Sequence, residues 1–186
     1  YKAISPSLYI NLKDYFLILK NNHYISLGKG AYAETYLVGK KGTNEEYAAK
    51  VFIKPLNIKH INLLKREILM STNLNHPCIL RYVGFCEHSL VQYIEKKSAR
   101  EILPTLLMQY IPKGTLENAI KERIESFDDT ARLKVIIGIA SALNEMFINN
   151  IVHRDLKPAN ILLNDKFEPV IGDLGLSRQF TNLQTN

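Results

Sequence analysis

Several features that would place the chain in a specialised class are scarce or missing. Only two cysteines occur, Cys78 and Cys86, and they have neither the Cys-x-x-Cys nor the Cys/His spacing of a metal site. No apolar run is long enough to span a bilayer, and the first residues lack the apolar segment of a signal peptide. These absences exclude a disulfide-stapled secreted domain and predict no membrane insertion. They favour a cytoplasmic location, with the nucleus as the alternative.

Blocks of like charge are also missing. The formal net charge of +6 comes from basic residues scattered along the chain, a pattern typical of solvated surface. A nucleic-acid binder would more often show a basic stripe interleaved with exposed aromatic residues. The pattern therefore predicts no nucleic-acid partner and leaves room for an anionic ligand.

The first half of the chain has the pattern of an antiparallel sheet with one helix. β-branched and aromatic residues alternate around turn-forming clusters, and one segment repeats apolar residues at three- and four-residue spacing. The predicted elements are strands at 23–38 and 46–53 around a turn at 39–44, a helix at 57–74, and strands at 79–86 and 105–111 on either side of a charged surface loop at 87–101.

The second half has a different pattern. Residues 129–149 carry an apolar face at helical period, opened by cap candidates at Asp128, Asp129 and Thr130. The two composition regimes meet near residue 112, which predicts two lobes joined by a short hinge with a cleft between them. The apolar face is made of Leu133, Ile136, Ile137, Ala140, Leu143 and Phe147.

A glycine pattern, Gly28-x-Gly30-x-x-Ala33, lies within the β-rich stretch at 23–38, with strand pattern on both sides of it. A dinucleotide-binding loop would need a helix after the glycines, and the Gly-Lys-Ser/Thr of a Walker-type phosphate loop occurs nowhere in the chain. A glycine loop between antiparallel strands can instead fold its backbone N–H groups over a polyphosphate. An ordinary strand-to-strand turn is the alternative.

Lys50 lies on a predicted strand with apolar neighbours on both sides. A strand lysine is usually a solvated edge residue, but an ammonium drawn inward needs a carboxylate partner. Glu67 on the following helix offers one. The alternative for Glu67 is a surface salt bridge with Lys65 or Arg66.

The stretch "HRDLKPAN", residues 153–160, holds an acid, two bases, an imidazole and an amide between two apolar runs. Asp155 can accept a hydroxyl proton, and Lys157 can neutralise phosphate charge. Asn160 can hold a metal together with Asp173, which follows another apolar run. Each aspartate by itself would more often be a turn residue.

Together these motifs resemble the eukaryotic protein kinase family, in the same order and spacing along almost the whole chain. The stretch "DLKPAN" is similar to the serine/threonine type, and "YVGFC" and "YIPKGTL" are similar to the tyrosine-kinase-like branch. The matching residues are Leu27-Gly28-Lys29-Gly30, Ala48-Ala49-Lys50, Glu67, His153-Arg154-Asp155 with Asn160, and Asp173-Leu174-Gly175.

The resemblance implies an α+β, protein-kinase-like two-lobe fold, with a five-stranded antiparallel sheet plus one helix in the N-lobe (about 15–111) and a mainly helical, partial C-lobe (112–186). It also implies ATP, Mg²⁺ and a protein substrate with a Ser or Thr hydroxyl. Asp155, Lys157 and Lys50 would be catalytic, and Asn160 and Asp173 would hold the metal. The implied nucleotide-binding residues are Leu27, Gly28, Lys29, Gly30, Ala31, Tyr32, Ala33, Thr35, Ala48, Lys50, Glu67, Met108, Gln109, Ile111 and Leu162.

The sequence also departs from the family pattern. Leu174 stands where the metal-binding turn usually has Phe, and Ser71 stands where the helix usually has a large apolar residue. The sequence stops soon after Asp173, at Asn186, so we expect a piece of a longer kinase with exposed apolar surface on the helix at 129–149. The alternative function is a nucleotide-binding kinase-like module or pseudokinase that acts through protein binding.

Replacing Lys50 tests its implied phosphate contact. We predict that Lys50→Met lowers ATP affinity or turnover without unfolding the small lobe, because the substitution removes the ammonium and keeps an unbranched apolar chain. Thermal melting with and without Mg·ATP, together with turnover, measures the effect. Equal melting shifts in variant and parent, with unchanged turnover, would show that the phosphate role is wrong.

Overall fold

The computed structural model describes residues 5–96 and 103–180, which form two compact units. The first unit takes in the described residues up to Asn62 together with 82–110, and the second takes in 63–81 and the described residues from Ile111 onward. Residues 63–81 therefore group with the second unit, although the sequence interpretation put them in the N-lobe. The division into lobes stays a prediction.

The described residues contain twelve strands, four α-helices and four short 3-10 helices. The strands are β1 Tyr15–Leu17, β2 Leu19–Lys20, β3 His23–Tyr24, β4 Ser26–Lys29, β5 Ala33–Lys40, β6 Glu46–Phe52, β7 Tyr82–Cys86, β8 Thr105–Gln109, β9 Ile151–Val152, β10 Ile161–Leu163, β11 Pro169–Ile171 and β12 Arg178–Gln179. The α-helices are α1 Ile58–Thr72, α2 Leu90–Ile94, α3 Leu116–Lys121 and α4 Asp129–Ile148. The 3-10 helices are Pro6–Leu8, Leu12–Asp14, Pro158–Asn160 and Leu174–Leu176.

The sheet of the first unit has six strands, and all of its pairs are antiparallel. Its order is β1-β5-β6-β8-β7, with β4 also paired to β5. β1 pairs with residues 38–40 of β5, and β4 pairs with residues 34–36. Because β6 occupies the other edge of β5, the two short strands share one edge and the sheet is five strands wide. The predicted antiparallel sheet is confirmed.

Strand alternation sends one face of this sheet into the core of the first unit. Val38, Ala49, Val51 and Leu107 all lie in that core, which also includes Leu12, Tyr15, Leu17 and Leu90. Successive side chains of a strand point to opposite faces. Residues in the alternate register, such as Ala48 and Lys50, therefore face away from this core.

The first described residues lie along β7, an edge strand, which the sequence analysis did not foresee. The Ile10 N–H donates to the Phe85 carbonyl over 3.0 Å, and the Tyr9 and Phe85 rings meet edge to face at 5.9 Å between centroids. A Cβ built on Gly84 would collide with Ile10 Cγ2. Gly84 is therefore needed for the close approach of this segment.

Part of the predicted surface loop at 87–101 is helical, so that prediction is wrong for residues 90–94. Ser89 caps α2, since its Oγ accepts from the Gln92 N–H over 3.3 Å. Leu90 is fully buried, and its N–H donates to Thr105 Oγ1 over 2.9 Å. Residues 97–101 of the predicted loop lie outside the described residues.

α4 begins as predicted, because Asp128 Oδ1 accepts from the Ala131 N–H over 2.8 Å. Its buried face is not the predicted one. A Cβ added at Gly138 would meet Pro169 and Cys78. The helix therefore packs closely against these two residues with the face that contains Gly138. The buried residues are Ala131, Val135, Gly138, Ala142 and Met146.

The predicted apolar face of α4 is largely exposed. Ile136, Ile137 and Phe147 each expose 60% or more of their surface, in agreement with the expected exposed apolar surface on this helix. Leu133 and Leu143 are exposed as well. Among the described residues, no helix combines the length and apolarity that crossing a membrane requires.

Two short two-stranded sheets of the second unit hold the polar loops. β10 pairs with β11, and β9 pairs with β12. β9 ends just before His153 and β10 begins just after Asn160, while β11 ends shortly before Asp173. These strand pairs therefore fix both ends of the loop at 153–160 and the start of the turn at Asp173.

The contact between Gly84 and Ile10 generates a test of the edge segment. We predict that Gly84→Ala lowers the free energy of unfolding by about 1–3 kcal/mol, because the new methyl group overpacks against Ile10. Ile10→Ala removes the obstacle, so the double variant should lose less than the sum of the two single losses, by about 0.5 kcal/mol or more. Urea unfolding measures all four proteins. Strictly additive losses would contradict the contact.

Candidate active site

The glycine loop of the first unit joins β4 to β5, as the sequence predicts. The Gly30 N–H donates to the Ala33 carbonyl over 2.8 Å and closes the turn. A Cβ built on Gly28 would meet nothing within 4 Å. Since protein packing does not require a glycine there, its effect is to leave the backbone open to a ligand.

The remaining side chains of this loop are mostly exposed. Lys29 Nζ lies 3.7 Å from Glu34 Oε2, and the Lys29 side chain is largely exposed to solvent. Ala31 is exposed, and Leu27 and Tyr32 expose 40% and 55% of their surfaces. The loop thus presents backbone and apolar groups without a packed core of its own.

Cross-strand register gathers four predicted site residues on the sheet face away from the core of the first unit. Thr35 pairs with Lys50, and Ala48 pairs with Met108. Lys50 is half-buried, and its Nζ lies 5.8 Å from the centroid of the Phe52 ring. This face therefore combines one ammonium with small and apolar side chains. Gln109, next along β8, is exposed.

The predicted nucleotide-binding residues Leu162 and Ile111 are apolar and belong to the second unit. Leu162 lies between Ile161 and Leu163, which both enter a buried core with residues of α3 and α4. By alternation, Leu162 faces away from that core and stays half-buried. Ile111 is buried.

His153 connects the loop at 153–160 to the turn at Asp173. Its ring is buried, with Nε2 2.9 Å from the Gly172 carbonyl oxygen. Nδ1 accepts from the Asp155 N–H over 3.3 Å. Because Nδ1 accepts, it carries no proton, and Nε2 is the ring nitrogen that donates to the Gly172 carbonyl oxygen. Arg154, between them, has a left-handed backbone with φ of 70°.

Asp155 is the centre of a charged cluster. Lys157 Nζ donates to Asp155 Oδ2 over 2.8 Å, and Asn160 Nδ2 donates to the same oxygen over 3.0 Å. These hydrogen bonds, that of Lys157 above all, hold the pKa of Asp155 below its ordinary value. The bond to Asp155 raises the pKa of Lys157 in turn. The carboxylate and the ammonium are therefore both charged at neutral pH.

Asn160 and Asp173 are linked through the backbone of Gly172. The Gly172 N–H donates to the Asn160 carbonyl over 2.8 Å, and Asp173 follows in a left-handed conformation with φ of 56° and an exposed side chain. Asn160 uses its amide nitrogen for both bonds to Asp155, which leaves the amide oxygen as the atom that can face a metal.

The donor set of Asn160 and Asp173 fits Mg²⁺ held jointly with a phosphate. Mg²⁺ is usually bound by one or two carboxylates together with substrate phosphates, and it keeps several waters. Within the described part of the chain, no group of three or more His, Cys, Asp or Glu residues could hold a metal ion by itself. A protein-only metal cage is therefore not the chemistry of these residues.

Glu67 is buried, at 6% exposed, on the part of α1 that belongs to the second unit. A Cβ built on Gly175 would lie 3.4 Å from Glu67 Oε2 and 3.2 Å from Asp173 Oδ1. Gly175 therefore lets the turn pass beside both carboxylates. Burial rules out a solvent-exposed salt bridge for Glu67, and its pairing with Lys50 stays a prediction.

Two contacts near this turn could not be predicted from the sequence. Arg66 Nη2 donates to the Ser177 carbonyl over 2.7 Å, and the Ser177 hydroxyl donates to the His153 carbonyl over 3.2 Å. Both residues lie outside the motif positions, and a lone serine has no periodicity to reveal its burial. Only the packing of the second unit brings them to the loop.

Comparison with known proteins gives a family for this set of residues. The family model described as "Protein kinase domain" matches residues 22–186. The chain is similar to the "L-type lectin-domain containing receptor kinase VIII.2" of Arabidopsis thaliana, with 32% identity over 160 residues, 82% of the chain. It is similar to the "Probable serine/threonine-protein kinase kinY" of Dictyostelium discoideum, with 32% identity over 165 residues, also 82% of the chain.

A third relative is the "Cysteine-rich receptor-like protein kinase 10" of Oryza sativa subsp. japonica, with 32% identity over 164 residues, 86% of the chain. The matches cover 20%, 27% and 23% of these three relatives. The chain thus spans only about a fifth to a quarter of the length of the curated relatives it matches.

The Lys157 contact makes a prediction about titration. We predict that Lys157→Met raises the pKa of Asp155 toward its ordinary value, because the substitution removes the largest cause of the lowering. In the parent, the carboxylate stays charged, and keeps its contribution to stability, until the pH falls through the lowered pKa. Carboxyl ¹³C NMR titration measures both proteins.

Lys166→Met is the matched control, since Lys166 is an exposed lysine in the turn between β10 and β11. It should leave the titration of Asp155 where it is in the parent. The same Asp155 midpoint in all three proteins would show that Lys157 does not set this pKa.

Proposed function

Because the chain belongs to the protein kinase family, we propose that it is a serine/threonine protein kinase that transfers the γ-phosphoryl group of ATP to a protein hydroxyl. One observation carries the proposal. Asp155, held between Lys157 and Asn160, is tied through His153 and Gly172 to the turn that begins at Asp173. This network supports the proposal, because it connects the carboxylate that would accept the proton, a cation and the oxygens that would hold the metal.

Asp155 would accept the proton of the attacking hydroxyl. Its lowered pKa keeps it ionised at neutral pH, so its main contribution is to orient the hydroxyl and take up the proton as the new bond forms. Lys157, already bound to the same carboxylate, would turn its ammonium to the transferred phosphoryl group and stabilise the charge there.

Asn160 and Asp173 would hold Mg²⁺ through their side-chain oxygens. Protein kinases use Mg·ATP, and the bound metal neutralises charge on the phosphates. The left-handed backbone at Asp173 and the Gly172 bond to Asn160 hold these two residues in place. Glu67 lies buried beside Gly175 of the same turn.

The first unit would supply the nucleotide contacts. Gly28 leaves the loop backbone open to the phosphates, and Lys50 carries the ammonium on the sheet face shared by Thr35 and Ala48. The resemblance also predicts an apolar wall for the adenine made of Leu27, Ala48 and Leu162, near a hinge from Met108 to Ile111.

Two sequence features support a serine or threonine as the acceptor. Lys157 stands in "DLKPAN", which is similar to the serine/threonine type, and one relative's printed name is that of a serine/threonine-protein kinase. We also propose membership of the tyrosine-kinase-like branch, on "YVGFC" and "YIPKGTL". Phosphoamino-acid analysis of the product tests the acceptor, and phosphotyrosine alone would contradict it.

We propose a cytoplasmic location, with the nucleus as the alternative. Both cysteines are free, and burial raises the pKa of each thiol, so both are protonated and unreactive in a reducing compartment. Imaging of a fluorescently tagged chain tests this, and retention in the secretory pathway would contradict it.

The activity is tested by Mg·ATP-dependent phosphate incorporation into a generic Ser/Thr substrate protein. We predict that Asp155→Asn lowers the rate by about 10²-fold or more, because the variant keeps the shape of the side chain and loses the proton acceptor. Asp165→Asn is the matched control, because Asp165 is an exposed turn residue, and it should keep the parent rate. A folded parent that binds ATP and transfers no phosphate would contradict the proposal and favour a pseudokinase.

A further inference from the structure

Ser177 is fully buried, and each of its polar groups is bound within the second unit. Its N–H donates to the Leu174 carbonyl over 2.9 Å, which closes the turn after Asp173. Its carbonyl accepts from Arg66 Nη2 over 2.7 Å, and its hydroxyl donates to the His153 carbonyl over 3.2 Å. One serine therefore joins α1, the turn and the loop that carries Asp155.

The His153 carbonyl belongs to the peptide group that precedes a strained residue of that loop. The next residue, Arg154, has a φ of 70°, a left-handed conformation that is costly for a residue with a side chain. Such a conformation persists only where surrounding contacts over-determine it. The hydroxyl of Ser177 fixes the peptide group on one side of Arg154, and the bond from the Asp155 N–H to His153 Nδ1 fixes the other side.

We propose that Ser177 is a positioning residue for the phosphoryl transfer proposed above. Its hydroxyl holds the His153 carbonyl, which keeps Arg154 left-handed and thereby aims the Asp155 carboxylate at the attacking hydroxyl. The effect on catalysis rests on the proposed function. The effect of Ser177 on the local geometry of the loop does not depend on that function. Ser177 touches neither substrate nor metal in this role and acts only through the loop.

Ser177→Ala isolates the hydroxyl. The variant keeps the backbone, and with it the bonds to Leu174 and Arg66, so it removes only the bond to the His153 carbonyl. Ser89→Ala is the matched control, because Ser89 is another buried serine whose hydroxyl is hydrogen-bonded, as the cap of α2 in the first unit. Both variants lose one buried hydrogen bond, but only one of these bonds touches the catalytic loop.

Hydrogen exchange of the backbone amides tests the local geometry without reference to activity. We expect the Asp155 amide to exchange about tenfold faster in Ser177→Ala, because the loop opens more often once the carbonyl of His153 is released. Ser89→Ala should leave the Asp155 amide at the parent rate. Equal protection of Asp155 in Ser177→Ala and parent would overturn the proposal, whatever the activity of the chain.

Steady-state kinetics then separate an effect of Ser177→Ala on the position of Asp155 from an effect on the stability of the fold. We expect kcat to fall about tenfold in Ser177→Ala with the KM for ATP within about twofold, because a misplaced acceptor affects the transition state and not nucleotide binding. Ser177→Thr keeps a hydroxyl and should retain kcat even if the extra methyl group lowers its melting temperature. Ser89→Ala should retain kcat at a comparable loss of stability.

The outcomes distinguish this proposal from the proposed function. A parent chain that transfers no phosphate contradicts the function, and the exchange of the Asp155 amide alone then decides for or against the geometry. A kcat in Ser177→Ala equal to that in Ser89→Ala overturns the positioning role. An unfolded Ser177→Ala, or one that loses kcat and ATP affinity in proportion to stability, also overturns it, since Ser177 would then be structural.

Discussion

The backbone of Gly172 is the constraint on which the candidate active site depends. Its carbonyl is bonded to the ring of His153, and its N–H donates to the carbonyl of Asn160. One residue thus ties both ends of the loop at 153–160 to the strand that leads into Asp173. Since His153 is buried, its bond forms away from competing water and holds more rigidly than a surface contact. Asp155 and the side-chain oxygens proposed to hold the metal are positioned together for this reason.

Asp155 has both a cation and an amide donor within hydrogen-bond distance in this network. Lys157 and Asn160 satisfy Asp155, and the pKa of Asp155 is lowered as a result. Asp173 stays exposed, and the buried Glu67 lies on the other side of Gly175. Carboxylates gathered around a glycine turn favour a cation there, which agrees with metal binding together with phosphates.

The motif positions could be predicted from the sequence because their information is local. The Gly28 and Gly30 loop lies between two antiparallel strands, and the Asp155 loop lies between short strands, as expected. Strand and turn chemistry depends on neighbouring residues, so it can be read from a short window. The apolar period of α4 was also evident, although it did not reveal which side of the helix is buried.

The sequence by itself determined the element types around the site and the identities of its polar groups. Tertiary structure alone decided that Gly138 packs against Pro169, so that α4 buries its Gly138 face and exposes its most apolar face. It also decided that Ser177 bonds to the His153 carbonyl, more than twenty residues earlier in the chain. The physical reason is that steric fit and buried hydrogen bonds join residues distant in sequence, and no local period or composition encodes such pairs.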